Sequence, residues 1–441
     1  MHLLSSLEGK SDLELLVHPA DRRQFETIVK KRSYKKLLSQ PWNRVPANED
    51  WLGLDFDTGN LLHLHTHYDL ATKITYGKYL QLPWLESYFR FLKMDPITGW
   101  PIPVPELEAI VLLVRIHASL LHDKEGIPVK KQKELRTLLN QVQVQRFQHL
   151  CRELQLTMPD NLDIEISSIV QGYSDASIFR LSSLLYHQLP GCVKANRPMS
   201  TLKTLYYKYF LKINRYAGRF TAPVQLKKTI VEGGKIMALV GSDGAGKSTL
   251  CNDLIKWLTF KIDAHYFYFG KRPFIRSYGR SLFSKTGFLF NNAVFSRYFR
   301  KLAGNLFYIL LIQKKIKMLR LSKRLSKKNS VVICDRFPQK DIEGYFDGPK
   351  LQAKKNAWFR ELEMKQFNKL GTTEADVVFR LNISPEIASR RKPEHDYRMI
   401  EQKCMHLPFL SFGHAKVVDV DAGRPYEQVL LDIKRKIWEN I

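Results

Sequence analysis

The stretch V-G-S-D-G-A-G-K-S-T-L, residues 240–250, decides how this chain folds. It lies between an apolar strand candidate, 236–240, and a segment of helical spacing, 248–258. Gly241, Gly246, Lys247 and Ser248 satisfy the pattern G-x-x-x-x-G-K-S/T, with Gly244 a further glycine inside it. Glycine lacks a Cβ, so successive backbone N–H groups can turn toward one anion, and a helix N-terminus adds its dipole. Strand, glycine turn and helix in that order predict a loop that wraps a phosphate chain. Its residues are Gly241, Asp243, Gly244, Ala245, Gly246, Lys247, Ser248 and Thr249. Lys247 is expected to bridge the terminal phosphates of ATP, Ser248 to ligate Mg²⁺, and Thr249 to support that ligand.

Further short apolar runs follow at 265–269, 331–334, 377–381 and 417–420, with helical segments between them. Buried strands alternating with helices predict a parallel, doubly wound α/β sheet over 223–441. The run S-V-V-I-C-D-R-F, 330–337, ends in Asp335 and Arg336, at the sheet edge where such folds bind ligands. Asp335 is expected to hold Mg²⁺ through water or to accept a proton, and Arg336 to clamp an acidic acceptor. In S-P-E-I-A-S-R-R-K-P, 384–393, Pro385 and Glu386 suit a first helical turn. Arg390 and Arg391 then sit where a lid can reach a transferring phosphoryl group, or else form a solvated basic helix end.

These residues resemble the thymidylate kinase-like branch of the P-loop kinases. The resemblance rests on residues 240–250, on V-I-C-D-R-F-P (332–338) followed by D-G-P (347–349), on F-R-L-N-I-S-P-E-I-A-S-R-R-K-P (379–393), and on V-V-D-V-D-A-G-R-P-Y-E-Q-V (417–429). It covers most of 233–441. It implies that Asp243 contacts a hydroxyl of the acceptor, that Asp335 and Arg336 lie at the acceptor site, and that Arg390 and Arg391 stabilise transferred charge. Lys247 would be catalytic with them. After the second strand the family carries an acidic-Arg-Pro-Gly-type loop, whereas this chain reads F-G-K-R-P-F-I from residue 269 and continues in a long basic insertion to about residue 328. Thymidylate is therefore a poor candidate acceptor. A nucleotide, a nucleoside or a sugar-like hydroxyl compound is expected instead.

The chain has 441 residues with 44% hydrophobic and 26% charged, which suits two or three globular domains and excludes a largely disordered chain. The net charge of +27 favours anionic partners. Between Lys261 and Lys328 there are 17 Lys or Arg and one acidic residue, Asp263. That segment suits a larger anionic acceptor, an anionic partner, a membrane surface or simply a solvated helical pair. Neither a specific nucleic-acid motif nor an apolar run of membrane-spanning length is present, and no signal peptide is evident. The scattered Cys151, Cys192, Cys251, Cys334 and Cys404 read as free thiols of a cytoplasmic protein. A homodimer is compatible with these features.

Residues 1–104 read as α/β, with a strand at 11–17, a helix at 19–31 and strands at 50–57 and 61–70 joined at Thr58-Gly59-Asn60. Period-two alternation puts Asp12 and Glu14 on one strand face, and His63, His65 and His67 on another. The segment around Asp12 is similar to the D-x-D/E strand of nucleotidyltransferase-fold domains, which occur joined to thymidylate kinase-like domains. That resemblance implies a bifunctional nucleotidyltransferase and kinase as an alternative. The opening helix and Gly-Ser pair of that fold are missing or truncated, and histidines stand where its third carboxylate is expected. Three readings stay open for Asp12, Glu14, His63, His65 and His67: a transition-metal site, a degenerate nucleotide-binding face, or a structural carboxylate pair with packed histidines. Residues 105–222 read as helical, with segments at 106–121, 130–156, 176–188 and 201–217, and carry no recognisable chemistry. A third functional class is a basic polyanion-binding protein that uses ATP as a switch.

Overall fold

A computed structural model describes residues 3–9, 11–75, 78–121, 126–172, 175–195, 225–270, 293–351, 357–370 and 374–441, with helical fragments at 205–206, 209–210 and 213. Most of the helix expected at 201–217, with its Tyr- and Lys-rich face, lies outside these residues, as does the first part of the basic insertion, 271–292. The chain divides into two compact units. Unit 1 comprises Met1–Gly53 and Leu62–Val224, and unit 2 comprises Leu54–Leu61 and Gln225–Ile441.

Unit 1 carries β1 (Leu13–Leu16), β2 (Lys35–Leu38) and all but the last residue of β3 (Asn48–Leu54) and the first of β4 (Leu61–His67), in the spatial order β1-β4-β3-β2; the turn joining β3 to β4 is counted with unit 2. β1 runs parallel to β4 with Glu14 opposite His65, and β2 runs antiparallel to β3 with Leu37 opposite Asp50. The turn between β3 and β4 forms where Thr58-Gly59-Asn60 predicts it: Gly59 adopts φ +72°, and Asp55 N–H donates to Asn60 O at 2.9 Å. Such a φ favours glycine because it has no Cβ to clash.

Two smaller sheets follow. β5 (Ala71–Thr75), β6 (Lys78–Gln81) and β9 (Val193–Ala195) form one, and β7 (Leu92–Met94) with β8 (Pro101–Pro103) the other. The helix Pro105–Leu120 buries residues on every side, Leu107, Ile110, Leu113 and Ile116 among them. They share one apolar core with Leu80, Leu135, Phe147, Leu162, Ile178 and Leu185. An all-round apolar helix is what the centre of a helical layer requires. The helix expected over 130–156 is two helices, Val129–Leu139 and Val144–Glu153. Buried Glu106 accepts from Gln143 N–H at 3.3 Å, satisfying an amide at the start of the second one.

Unit 2 opens with the short strand β10 (Thr229–Ile230). Its main sheet comprises β11 (Ile236–Gly241), β12 (Ala264–Tyr268), β13 (Val331–Asp335), β14 (Val377–Asn382) and β15 (Lys416–Asp421). The order is β12-β13-β11-β14-β15, and every pairing is parallel. All residues of β11 and β13 are buried, as strands covered on both faces must be. The helix Ala293–Ser326 leads back from β12 to β13. Ile312, Ile316, Leu319 and Leu325 pack it against Ala238, Val332 and Cys334 of the sheet. The described part of the basic insertion is therefore a crossover helix with one apolar face in the core; whether it has a helical partner within 271–292 lies outside the described residues. No helix among the described residues is long and apolar enough to cross a membrane.

Candidate functional sites

In unit 2 the chain leaves β11 next to two parallel neighbours, β13 on one side and β14 on the other. The strand order reverses there, and such a switch point opens a crevice beyond the carboxyl ends of the strands. The loop 242–246 fills it and leads into the helix Lys247–Thr259. Gly244 and Gly246 have φ +88° and +83°. A Cβ on Gly244 would lie 2.4 Å from Ala388 O, so close backbone approach as well as φ requires glycine there.

Lys247 is buried, and its ammonium donates to Gly241 O at 3.0 Å and Ser242 O at 2.6 Å. It is folded back onto the start of its own loop. Burial and nearby Arg336 push it down to about 8, against the pull of Asp243 and Asp335. Ser248 Oγ donates to Asp335 Oδ2 at 2.6 Å, and Tyr266 OH donates to the same oxygen at 3.1 Å. Asp335 is fully buried, and its other oxygen, Oδ1, has no hydrogen-bond partner. An orphaned buried carboxylate oxygen beside a hydroxyl fits a hard divalent cation such as Mg²⁺, which takes oxygen ligands.

Asp243 sits at the centre of a second group. Arg336 donates to its Oδ1 at 3.2 Å, Lys403 donates to Oδ2, and His395 Nδ1 lies 3.9 Å from Oδ2. Burial works against this carboxylate, but Lys403, Lys247 and Arg336 hold it well below the usual range. Arg336 also lies 3.6 Å from Asp347, which accepts from buried Lys315 at 3.1 Å. Burial pulls the Arg336 guanidinium down, and Asp347 and Asp243 together more than reverse it. Arg336 and Asp347 both hold left-handed backbone, φ +69° and +63°, uncommon outside glycine and concentrated where surroundings over-determine the chain.

Ser384 caps the helix Pro385–Arg391 by accepting from Ile387 N–H at 3.3 Å. Arg390 is exposed, while Arg391 donates to Ala422 O at 3.0 Å. The structure thus groups Asp243, Lys247, Ser248, Asp335 and Arg336, and puts Arg390 and Arg391 on the neighbouring helix. It adds Tyr266, Lys315, Asp347, His395 and Lys403. Asp347 was visible only as the acid of a D-G-P run. Lys315, His395 and Lys403 lack a local motif, since their partners lie 32 to 160 residues away.

In unit 1, Asp12, His63 and His65 come together with Asp50 of β3. Asp50 Oδ1 lies 3.0 Å from His63 Nε2 and 2.6 Å from His65 Nδ1, and Asp12 Oδ2 lies 2.9 Å from His63 Nδ1. A carboxylate on a neighbouring strand is therefore present, ahead of the histidines in sequence. Glu14 is exposed. The His67 ring stacks edge-on against His65 at 4.5 Å, with its Nε2 buried and unpartnered. Burial and neighbouring His65 push His67 down to about 4, with Glu14 opposing.

No family model matches the chain. It is 29% identical over 217 residues to the "Uncharacterized ATP-binding protein YghS" of Escherichia coli (strain K12), which spans 44% of this chain and 89% of that protein. It is 26% identical over 220 residues to the "Uncharacterized ATP-binding protein YghR" of the same strain, spanning 46% of this chain and 86% of that protein.

Proposed function

We propose that unit 2 is an ATP- and Mg²⁺-dependent phosphotransferase of the thymidylate kinase-like type. Its acceptor is a nucleotide, a nucleoside or a sugar-like hydroxyl compound. The observation that carries this reading is the Ser248–Asp335 contact of 2.6 Å beside buried Lys247, at the mouth of a parallel sheet. The names of the two Escherichia coli relatives, both called ATP-binding proteins, support the nucleotide.

On this reading the amides of the loop 242–246 and the helix N-terminus hold the triphosphate tail. Lys247 swings from Gly241 O and Ser242 O to the phosphate oxygens, exchanging two carbonyl contacts for charge-assisted ones. Ser248 and Asp335 would hold Mg²⁺, which would neutralise charge on the phosphate oxygens. Arg336, fixed between Asp243 and Asp347, presents its guanidinium toward the acceptor. Asp243 stays ionised and can accept a hydrogen bond from an acceptor hydroxyl. Arg390 is free of the sheet and suited to reach the transferring group. Catalysis is then positioning and charge stabilisation rather than covalent chemistry. Docking of the basic segment 261–328 on an anionic partner or membrane surface, and pairing of two copies of the chain, are compatible additions.

The test is transfer of label from γ-labelled ATP to a panel of nucleosides, nucleoside monophosphates and sugars. Labelled product from the full chain, lost in Lys247→Ala with circular dichroism unchanged, is the expected outcome. ATP binding without label transfer to any acceptor would refute phosphotransfer and leave an ATP switch.

A further inference from the structure

We propose that Asp50, His63 and His65 bind one divalent transition-metal ion of the zinc or cobalt type. None of these residues is among those proposed for the site of unit 2. Three ligand atoms, one from each residue, lie within 4.8 Å of one another. Asp50 Oδ1 is approached by His63 Nε2 at 3.0 Å and His65 Nδ1 at 2.6 Å. Two imidazoles and one carboxylate form a donor set for zinc-like ions, whereas Mg²⁺ prefers oxygen throughout. That chemistry separates this cluster from the all-carboxylate metal sites that transfer nucleotidyl groups.

The surroundings orient the ligands. Asp12 Oδ2 lies 2.9 Å from His63 Nδ1, the ring nitrogen facing away from Asp50, without the alignment of a full hydrogen bond. Ser39 Oγ donates to Asp50 Oδ2 at 3.0 Å, leaving Oδ1 toward the histidines. A carboxylate behind a ligating histidine and a hydroxyl behind a ligating carboxylate are what metal sites use to fix their ligands. Access is one-sided: the His63 and Asp50 side chains are 5% and 8% exposed, and His65 is 28% exposed. Solvent therefore reaches the cluster from the His65 side, the side from which a fourth ligand such as water would have to come. Metal binding requires that each ring nitrogen facing Asp50 offer a lone pair, so the ion would take the place of the direct His–Asp50 contacts.

The full chain, stripped with chelator and titrated with Co²⁺, tests this. Expected are visible d–d bands of low-symmetry, four-coordinate cobalt that saturate at one equivalent and vanish on adding Zn²⁺. His65→Gln and Asp50→Asn should each lose the bands, and Asp335→Asn should keep them, which separates this site from the proposed Mg²⁺ site. If Asp50→Asn fails to fold, His65→Gln, at the more exposed position, carries the test. Absence of saturable cobalt bands in the folded wild-type chain, or their persistence in His65→Gln, would overturn the proposal and leave a proton-linked histidine–carboxylate network. Either result leaves the ATP reading of unit 2 intact.

Discussion

The carboxylate sites of units 1 and 2 are built in opposite ways. In unit 2 a contiguous run supplies most of the machinery: Gly244, Gly246, Lys247 and Ser248 lie within five consecutive residues, and one distant strand end adds Asp335. In unit 1 no local run makes a site. Asp12, Asp50 and the two histidines come from β1, β3 and β4 or their edges, and only the sheet order joins them. The first kind depends on backbone geometry, so it is written in glycines. The second depends on side chains meeting across strands, so it is written in register.

The comparison can be broken most sharply at Lys247. Replacing it with Ala removes the charge beneath the loop, and steady-state kinetics should show activity falling roughly 10²–10³-fold. The cobalt bands of unit 1 should not change. In unit 1 the comparable change outside the three ligands is Asp12→Asn, which removes the charge behind His63. Loss of an outer-shell carboxylate typically costs about 10–100-fold in metal affinity, to be measured by competition with a chromophoric chelator. Unchanged affinity would mean that Asp12 plays no orienting part.

A backbone test comes next. Gly244→Ala asks an L-residue to adopt φ +88° with its Cβ 2.4 Å from Ala388 O. The left-handed backbone alone costs about 1–2 kcal/mol, and relief of the clash moves the loop. Nucleotide affinity should fall, with thermal stability lowered as well. Gly246→Ala meets open space, so it should suffer the φ penalty only.

The smallest effect is one of pH. Lys247 drops from 10.5 to about 8 on folding. Below about 8 the lysine is protonated in folded and unfolded chains alike, and the burial penalty is full. Between about 8 and 10.5 the unfolded chain holds more protons, so the stability of the unliganded protein rises with pH through that window. Nucleotide binding runs the other way, because the phosphates need the charged form. Affinity should weaken by up to about tenfold per pH unit above 8, and Lys247→Arg, which keeps its charge, should flatten that dependence.

The two constructions also explain what could be read from the sequence. The five strands of the unit 2 sheet were legible to within about one residue, because buried parallel strands are plain apolar runs bounded by helices. The loop and Asp335 were legible for the same local reason. The grouping of Lys403 and His395 with Asp243, and of Lys315 with Asp347, was not, because long-range ion pairs leave no periodicity. Asp50 was missed because it lies in N-E-D-W-L-G-L, where its neighbours Glu49 and Trp51 are buried too and no alternation singles it out. The expected helix at 130–156 failed at residues 140–143, where continuous apolar spacing conceals a break.

The central claim is that the glycine turn of unit 2 holds a triphosphate with Lys247, and that Ser248 and Asp335 would hold magnesium with it. Isothermal titration of the full chain with ATP, in the presence and absence of Mg²⁺, tests it most directly. Saturable binding at one site, strengthened by Mg²⁺ and lost in Lys247→Ala, is the predicted result. No heat of binding in the folded wild-type chain, or equal affinity in Lys247→Ala, would contradict it.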